Sequence, residues 1–122
     1  TLDEKTVRSG VKHILDNPKT GYYIVVKHQE DIIANLLVLF EWSDWRNGDV
    51  LWIHSVFVTP AYRGHGVFKS MYQHVKNTVQ QNNNYKGIRL YVEKQNTNAQ
   101  MVYQAMGMSS EHYELFEWLK DE

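Results

Sequence analysis

The sequence has no cysteine among its 122 residues and only two prolines. A disulfide framework, a thiolate nucleophile and a cysteine-ligated metal site are therefore excluded. The formal net charge is −1, so no excess of positive charge attracts nucleic acid. No apolar run approaches the ~20 residues that a membrane-spanning helix needs, and the opening TLDEKTVRSG does not resemble a signal peptide. We therefore expect a cytoplasmic protein without a membrane or nucleic-acid partner.

Hydrophobic residues nevertheless make up 43% of the chain and aromatic residues 13%, which is enough for one hydrophobic core. No internal repeat, low-complexity segment or linker interrupts the sequence. The six histidines lack the His-Glu-x-x-His spacing of a zinc site, so no metal is predicted. We expect a single domain over residues 1–122.

The first half of the chain is predicted to form a helix followed by three strands. Val7, Val11, Ile14 and Leu15 share one face of a helix over residues 2–16, and the NPKTG stretch ends it. Three apolar runs then follow, separated by short polar turns: 22–28, 32–42 and 50–59. Short turns between successive strands predict an antiparallel meander.

In the second half the apolar residues recur at helical spacing. The pattern predicts a helix over 66–81, a strand over 88–94 and a shorter helix near 99–106, with Gly107 after its end. The closing SEHYELFEWL predicts a final strand over 110–119. A helix between two strands requires a right-handed crossover and therefore a parallel pair. The expected fold class is α/β, of the α+β kind, with a mixed sheet and about three helices.

The loop TPAYRGHGVFKS, between the third strand and the second helix, has the glycines of a phosphate-binding loop. A P-loop is excluded because Arg63 and Phe68 stand where its two glycines are needed. A dinucleotide-binding loop is disfavoured because Lys69 takes the place of its third glycine and an antiparallel meander comes first. A third pattern, Arg-x-x-Gly-x-small, is matched by Arg63 and Gly66, although Phe68 replaces the small residue.

This loop, preceded by VFVTPAY, resembles that of the GNAT superfamily of acyl-CoA N-acyltransferases. The family's second motif, Asn-x-x-Ala-x-x-x-Tyr-x-x-x-Gly, is matched by Asn96, Ala99, Tyr103 and Gly107. The resemblance spans roughly residues 20 to 118. It implies a GNAT-like sheet in which the meander is followed by two parallel strands that splay apart.

The resemblance also implies acetyl-CoA as co-substrate and direct transfer of its acetyl group to a primary amine in a ternary complex, with no metal. The pantetheine arm would lie along the third strand, and the pyrophosphate on the loop and the helix start, where unpaired N–H groups suit an anion. The predicted coenzyme-binding residues are Val56, Phe57, Val58, Arg63, Gly64, His65, Gly66, Val67, Phe68, Lys69 and Asn96.

Two side chains are candidates for proton transfer. His54 lies where some family members carry a catalytic Glu and is the candidate base, with Glu93 in reserve; a buried histidine that satisfies a neighbour is the alternative. Tyr103 matches the family's general acid, and a core aromatic is the alternative. Asn96 also suits a helix N-cap. A backbone N–H at a bulge in the third strand, expected at Val58, would stabilise the oxyanion.

The acceptor site is less determined by sequence. The EWSDWRNGD turn could form an aromatic and acidic cradle for a cationic amine, in the manner of diamine acetyltransferases, or a solvated turn beside partly buried tryptophans. The family normally has a strand and a helix before the region that starts here. We therefore expect a sheet without that first strand and a homodimer in which a second chain supplies the edge. A catalytically inactive module that binds acyl-CoA or a protein partner is the alternative function.

Overall fold

The computed structural model describes residues 3–120. They form three helices and a four-stranded mixed sheet. In chain order the elements are α1 (Glu4–Asp16), β1 (Gly21–His28), β2 (Asp31–Ser43), β3 (Gly48–Val58), a 3₁₀ turn (Pro60–Tyr62), α2 (Val67–Gln80), β4 (Tyr85–Leu90) and α3 (Thr97–Ala105).

The chain divides into two compact units, residues 1–91 and 92–122. The first contains α1, α2 and the whole sheet, and the second contains α3 and the C-terminal segment. The prediction of a single domain stays a prediction.

The sheet has the strand order β1-β2-β3-β4. β1, β2 and β3 pair antiparallel as a meander, and β3 pairs parallel with β4. The parallel pair is made possible by α2, which connects β3 to β4 and packs against both strands. The predicted mixed sheet with its antiparallel meander and parallel pair is confirmed.

The hydrophobic core of the first unit lies between α2 and the sheet. Five large side chains there are at most 2% exposed: Leu36, Val38, Leu51, Met71 and Val75. Full burial of one such side chain stabilises the fold by about 1.5–3 kcal/mol. The helical spacing of Met71 and Val75 turns both residues to the same side of α2.

The ends of α1 follow from capping side chains. Asp3 is the N-cap and accepts a hydrogen bond from the N–H of Lys5 at 3.3 Å. The hydroxyl of Thr6 also donates to Asp3, which lowers the pKa of that carboxyl. Asn17 ends the helix and donates through its side chain to the carbonyl of His13 at 2.7 Å. The start predicted at residue 2 lies outside the described residues.

Two predicted strands differ from the structure. The fourth strand is β4 at Tyr85–Leu90, not residues 88–94, because its parallel pairing with β3 stops at Leu90. The final strand predicted over 110–119 is wrong, since these residues form no strand or helix. Alternating apolar residues do not make a strand unless a neighbour pairs with their backbone, and the sheet formed within residues 3–120 has only four strands. The large apolar side chains of this segment are 54% to 89% exposed: Tyr113, Leu115, Phe116, Trp118 and Leu119.

Candidate active site

The parallel strands separate at one point in the first unit. Ile53 and Leu90 are the last residues that pair between β3 and β4. β3 then continues to Val58, paired on its other side with β2 alone. The two strands therefore splay apart after Ile53, and residues 54–58 present one strand edge that β4 does not cover.

The backbone groups at this edge can be assigned from the pairing. The N–H of Thr59 donates to the carbonyl of Ile33 at 2.8 Å, so Thr59 faces β2. Hydrogen-bonded and non-hydrogen-bonded positions alternate along an antiparallel pair. Phe57 therefore also faces β2, whereas the N–H and C=O groups of Val56 and Val58 point to the uncovered edge. They form a short ladder of donors and acceptors that an extended amide chain can join.

A bulge in β3 lies at the same place as the splay. Val38 pairs with Ile53 and Leu37 pairs with Ser55, which leaves His54 as the extra residue. The expected position of the bulge at Val58 is therefore wrong, because pairing with β2 is regular from Ser55 to Val58. The side chain of His54 is exposed, so the alternative of a buried structural histidine finds no support.

The sheet presents two different faces around the splay. The register places on one face, here called the Trp52 face, the residues Leu39, Glu41, Val50, Trp52, Gly87 and Arg89. The opposite face carries Leu51 and Ile53, which are 0% and 4% exposed. This second face lies under α2, whose buried Met71 and Val75 complete the core. The bulge sets His54 and Ser55 together opposite Leu37, which puts both side chains on the Trp52 face.

After β3 the chain forms a 3₁₀ turn, which brings the side chain of Arg63 back to the end of the strand. The Nε of Arg63 donates to the carbonyl oxygen of Val58 at 2.9 Å. The guanidinium carbon lies 5.8 Å from the centre of the Phe57 ring. Arg63 is exposed, and within residues 3–120 the structure gives its two terminal nitrogens no carboxylate partner. Its positive charge is thus held next to the uncovered edge.

Gly64 and Gly66 adopt left-handed conformations, with φ of 79° and 77°. Glycine is preferred there because other residues are strained at positive φ. A Cβ atom at either position would have no neighbour within 4 Å, so the backbone faces open space. A ligand can therefore approach the backbone closely at both glycines.

The loop delivers the chain directly into the N-terminus of α2. Gly66 is the N-cap, and its carbonyl accepts the first helical bond, from the N–H of Ser70. The start of α2 carries the positive end of the helix dipole, with backbone N–H groups directed out of the helix. Together with Arg63 and the open glycine loop, this arrangement suits an anion such as a pyrophosphate.

Phe68 turns towards the body of α2. Its ring lies 6.4 Å from that of Tyr72, centre to centre, and it is half-buried. Its backbone N–H belongs to the helix start, while the ring packs along the helix. His65 and Lys69 are exposed beside it.

The second unit contains the other two predicted site residues. Asn96 is the N-cap of α3, and its side chain accepts from the N–H of Ala99 at 3.1 Å. Tyr103 is half-buried, and burial raises the pKa of its phenol. Gly107, with φ of 92°, ends the helix: its N–H donates to Gln104 and that of Met108 to Tyr103. Glu93, the reserve base, is exposed.

The predicted cradle lies at the other end of β3. Trp42 and Trp45 are 62% and 92% exposed around the β2–β3 turn. The carboxylate of Asp44 accepts from the backbone N–H of Trp45 at 2.9 Å, as in an ordinary turn. At ~3.3 Å per residue, Gly48 at this end is about 20 Å from His54 along the strand. This separation favours the solvated-turn alternative.

An aromatic pair and an ion pair near the splay are not predicted by the sequence patterns. The rings of Trp52 and Tyr91 lie 4.6 Å apart, centre to centre, with a 39° angle between planes. Arg89 Nη1 donates to Glu41 Oε1 at 3.0 Å. These partners are distant in sequence, so only the strand register brings them together.

Residues 3–120 contain neither a cluster of metal-ligating side chains nor a membrane-spanning helix. No group of three or more His, Asp or Glu side chains there is arranged to hold a metal ion. No helix in that range has the length and apolar character required to cross a membrane.

Comparison with known proteins gives the same fold. The family model described as "Acetyltransferase (GNAT) family" matches residues 3–108. A solved structure described as a possible acetyltransferase from Clostridium difficile 630 is 37% identical, with a TM-score of 0.90 over 99% of this chain and 80% of that one. No curated protein matched the chain.

More distant structures share the fold alone. The aminoglycoside 6'-N-acetyltransferase AAC(6')-IG from Acinetobacter haemolyticus is 14% identical, with a TM-score of 0.78 over 100% of this chain and 85% of that one. AAC(6')-Iy, solved with the bisubstrate analogue CoA-S-monomethyl-acetylneamine, is 17% identical, with a TM-score of 0.80 over 98% and 82% of the two chains.

Proposed function

The chain belongs to the acetyltransferase (GNAT) family, and we propose that it transfers an acetyl group from acetyl-CoA to a primary amine. One observation carries this proposal: the uncovered edge of β3 is followed, after one 3₁₀ turn, by the glycine loop and the start of α2. An extended amide arm and a pyrophosphate, joined in one ligand, match those two features in that order. A cytoplasmic location remains a prediction.

Coenzyme binding would use mainly backbone groups of the first unit. Val56 and Val58 would pair with the amides of the pantetheine arm, with Phe57 between them. The pyrophosphate would be held by Arg63, by the loop of Gly64, His65 and Gly66, and by the N–H groups of Val67, Phe68 and Lys69. Asn96 of the second unit would add a contact. When bound, acetyl-CoA supplies the thioester that donates the acetyl group.

The transfer needs a neutral amine. A free alkyl amine has a pKa near ~10 and arrives protonated at neutral pH. His54, exposed at the bulge, would accept that proton directly or through water. The amine nitrogen then bonds to the thioester carbon and loses a second proton to solvent as the carbon–sulfur bond breaks, giving an amide and a thiolate. The proton that the thiolate takes up from Tyr103 is replaced on Tyr103 from solvent.

Two further groups would assist. The N–H of Val56 points to the uncovered edge, nearer the bulge at His54, and would donate to the carbonyl oxygen as it gains negative charge. The C=O of Val56 and the N–H of Val58 are then left for the pantetheine amides. Tyr103 would protonate the departing sulfur. Burial raises the pKa of its phenol, which keeps the proton on Tyr103 at neutral pH.

The test is calorimetric titration of the chain with acetyl-CoA, followed by a transfer assay with a panel of primary amines that detects released thiol. We expect micromolar binding and turnover with at least one amine. Binding without turnover on any amine would favour the alternative, an inactive module that binds acyl-CoA. Absence of binding would overturn the proposed function.

A further inference from the structure

From the aromatic pair at the splay, we infer that Trp52 and Tyr91 bind the acceptor, and that this acceptor is a monocationic amine on an apolar, preferably aromatic, body. The inference rests on the proposed function and specifies its second substrate. Neither residue belongs to the predicted coenzyme loop, and both lie in the first unit.

The position of the pair is fixed by the strand register. Ile53 and Leu90 are the last residues to pair before the strands separate. Trp52 immediately precedes Ile53 in β3, and Tyr91 immediately follows Leu90. The two rings, 4.6 Å apart centre to centre, therefore lie where the pairing of β3 with β4 ends and the uncovered edge begins. A molecule held against these rings lies next to His54, the candidate base.

Access to this point is restricted to one face of the sheet. The face carrying Leu51 and Ile53 is buried under α2. Trp52 and His54 lie on the opposite face, where Tyr91 is 54% exposed and Trp52 partly so. A second substrate can therefore approach His54 across the aromatic pair.

The chemistry of the pair selects the acceptor. An aromatic ring attracts a cation to its face and offers a flat apolar surface to another ring. A protonated primary amine on an aromatic body satisfies both interactions before His54 takes its proton. An aliphatic amine of the same charge gains less binding free energy, because it has no ring to stack on Trp52 and Tyr91.

The charges around the pair argue against a polycation. Within the paired stretches of β2, β3 and β4, Glu41 is the one carboxylate that the register places on the Trp52 face. It is bound to Arg89 at 3.0 Å, and Arg89 pairs with Trp52 across the strands. A second positive charge on the acceptor would gain little attraction from Glu41, which Arg89 already neutralises, and would be repelled by Arg89. Acceptors with several ammonium groups are therefore disfavoured.

The experiment compares kcat/KM for 2-phenylethylamine, butylamine, spermidine and kanamycin in the unmodified chain. We expect 2-phenylethylamine to exceed each of the others by about tenfold or more. Equal or greater efficiency with spermidine or kanamycin would overturn the inference. It would leave the proposed acetyl transfer intact, because transfer itself would still be observed.

The variants assign the effect to the pair. Tyr91→Leu should raise the KM for 2-phenylethylamine about tenfold and reduce its advantage over butylamine to less than threefold, while Tyr91→Phe retains both. The affinity of either variant for acetyl-CoA, measured by calorimetry, should change less than threefold. Retained binding also shows that the variant is folded. Trp42→Leu is the matched control, because Trp42 is exposed near the far end of β2, and it should keep the selectivity. If Tyr91→Leu left the KM unchanged, or Trp42→Leu raised it equally, the site would not be at Trp52 and Tyr91.

Discussion

The side chain of Arg63 donates through Nε to the carbonyl oxygen of Val58, at 2.9 Å. This bond joins the glycine loop to the last residue of β3, across a turn of four residues. It satisfies a carbonyl at the uncovered edge and holds a positive charge where the loop starts. The two predicted parts of the coenzyme site, the strand edge and the phosphate loop, are thereby connected.

Replacing Arg63 should weaken coenzyme binding through the pyrophosphate. We expect Arg63→Ala to raise the Kd for acetyl-CoA about 10- to 100-fold, because a hydrogen bond to a charged group contributes about 1.5–3 kcal/mol. Arg63→Lys should recover part of the loss, since it restores the charge without the planar fork. Calorimetry measures both.

A truncated acetyl donor distinguishes pyrophosphate binding by Arg63 from structural support of the strand edge by the same residue. S-Acetylpantetheine has no pyrophosphate, so its transfer efficiency should be similar in the parent and in Arg63→Ala. Arg46→Ala, at the exposed β2–β3 turn, is the matched control and should bind acetyl-CoA as the parent does. An equal loss with both donors would show that Arg63 acts by supporting the strand edge.

Substitution of His54 should slow transfer in a pH-dependent way. We expect His54→Gln to lower kcat about a hundredfold at pH 7, as is usual for loss of a general base. The deficit should shrink as the pH rises towards ~10, because the amine then loses its proton to solvent. The measurement is a pH–rate profile from 6.5 to 9.5.

His112→Gln, in the exposed C-terminal segment, serves as the control for His54 and should follow the parent profile. A deficit in His54→Gln that stayed constant across the pH range would instead indicate a positioning effect at the bulge.

Much of this architecture follows from the sequence, and the family resemblance adds the splay, but the position of the bulge follows from neither. Helical spacing at Met71 and Val75 and the turns between apolar runs predict the meander, the crossover helix and the parallel pair. The bulge at His54 depends on how β3 pairs with β2, which residue spacing alone does not encode. For the same reason the contact between Trp52 and Tyr91 cannot be predicted from residue spacing.

The wrong final strand has a related cause. Tyr113, Phe116 and Trp118 favour a strand by residue type. Strand formation also requires a partner for the backbone, and no described strand of the sheet pairs with them. Helix ends were easier to predict, since Asn96 and Gly107 act through local bonds.

Removal of the Tyr103 hydroxyl should affect chemistry and not coenzyme binding. We expect Tyr103→Phe to lower kcat about a hundredfold while changing the Kd for acetyl-CoA less than threefold. Burial raises the pKa of Tyr103 above the ordinary tyrosine value. A general acid is active while protonated, so a raised pKa moves its loss of activity to higher pH. The parent should therefore show no fall in kcat from this group between pH 7 and 9.5.

Tyr113→Phe provides the matched control, because Tyr113 lies in the same unit and is 74% exposed. A fall in kcat below pH 9 that disappeared in Tyr103→Phe would contradict the direction of the pKa shift. Transfer by Tyr103→Phe at the parent rate would remove Tyr103 from the mechanism.

Phe68, which replaces the family's small residue, should stabilise the helix without obstructing the coenzyme. Its ring packs beside Tyr72, which is 6% exposed. We expect Phe68→Ala to lower the free energy of unfolding by about 1–3 kcal/mol, less than a fully buried Phe because Phe68 is half-buried. Phe68→Leu should lower the free energy of unfolding by less, since leucine keeps most of the apolar contact. Urea denaturation measures the stability. Below the unfolding transition, the Kd of both variants for acetyl-CoA should stay within threefold of the parent, because the backbone N–H of residue 68 remains. Tenfold tighter binding by Phe68→Ala would show instead that the ring crowds the loop.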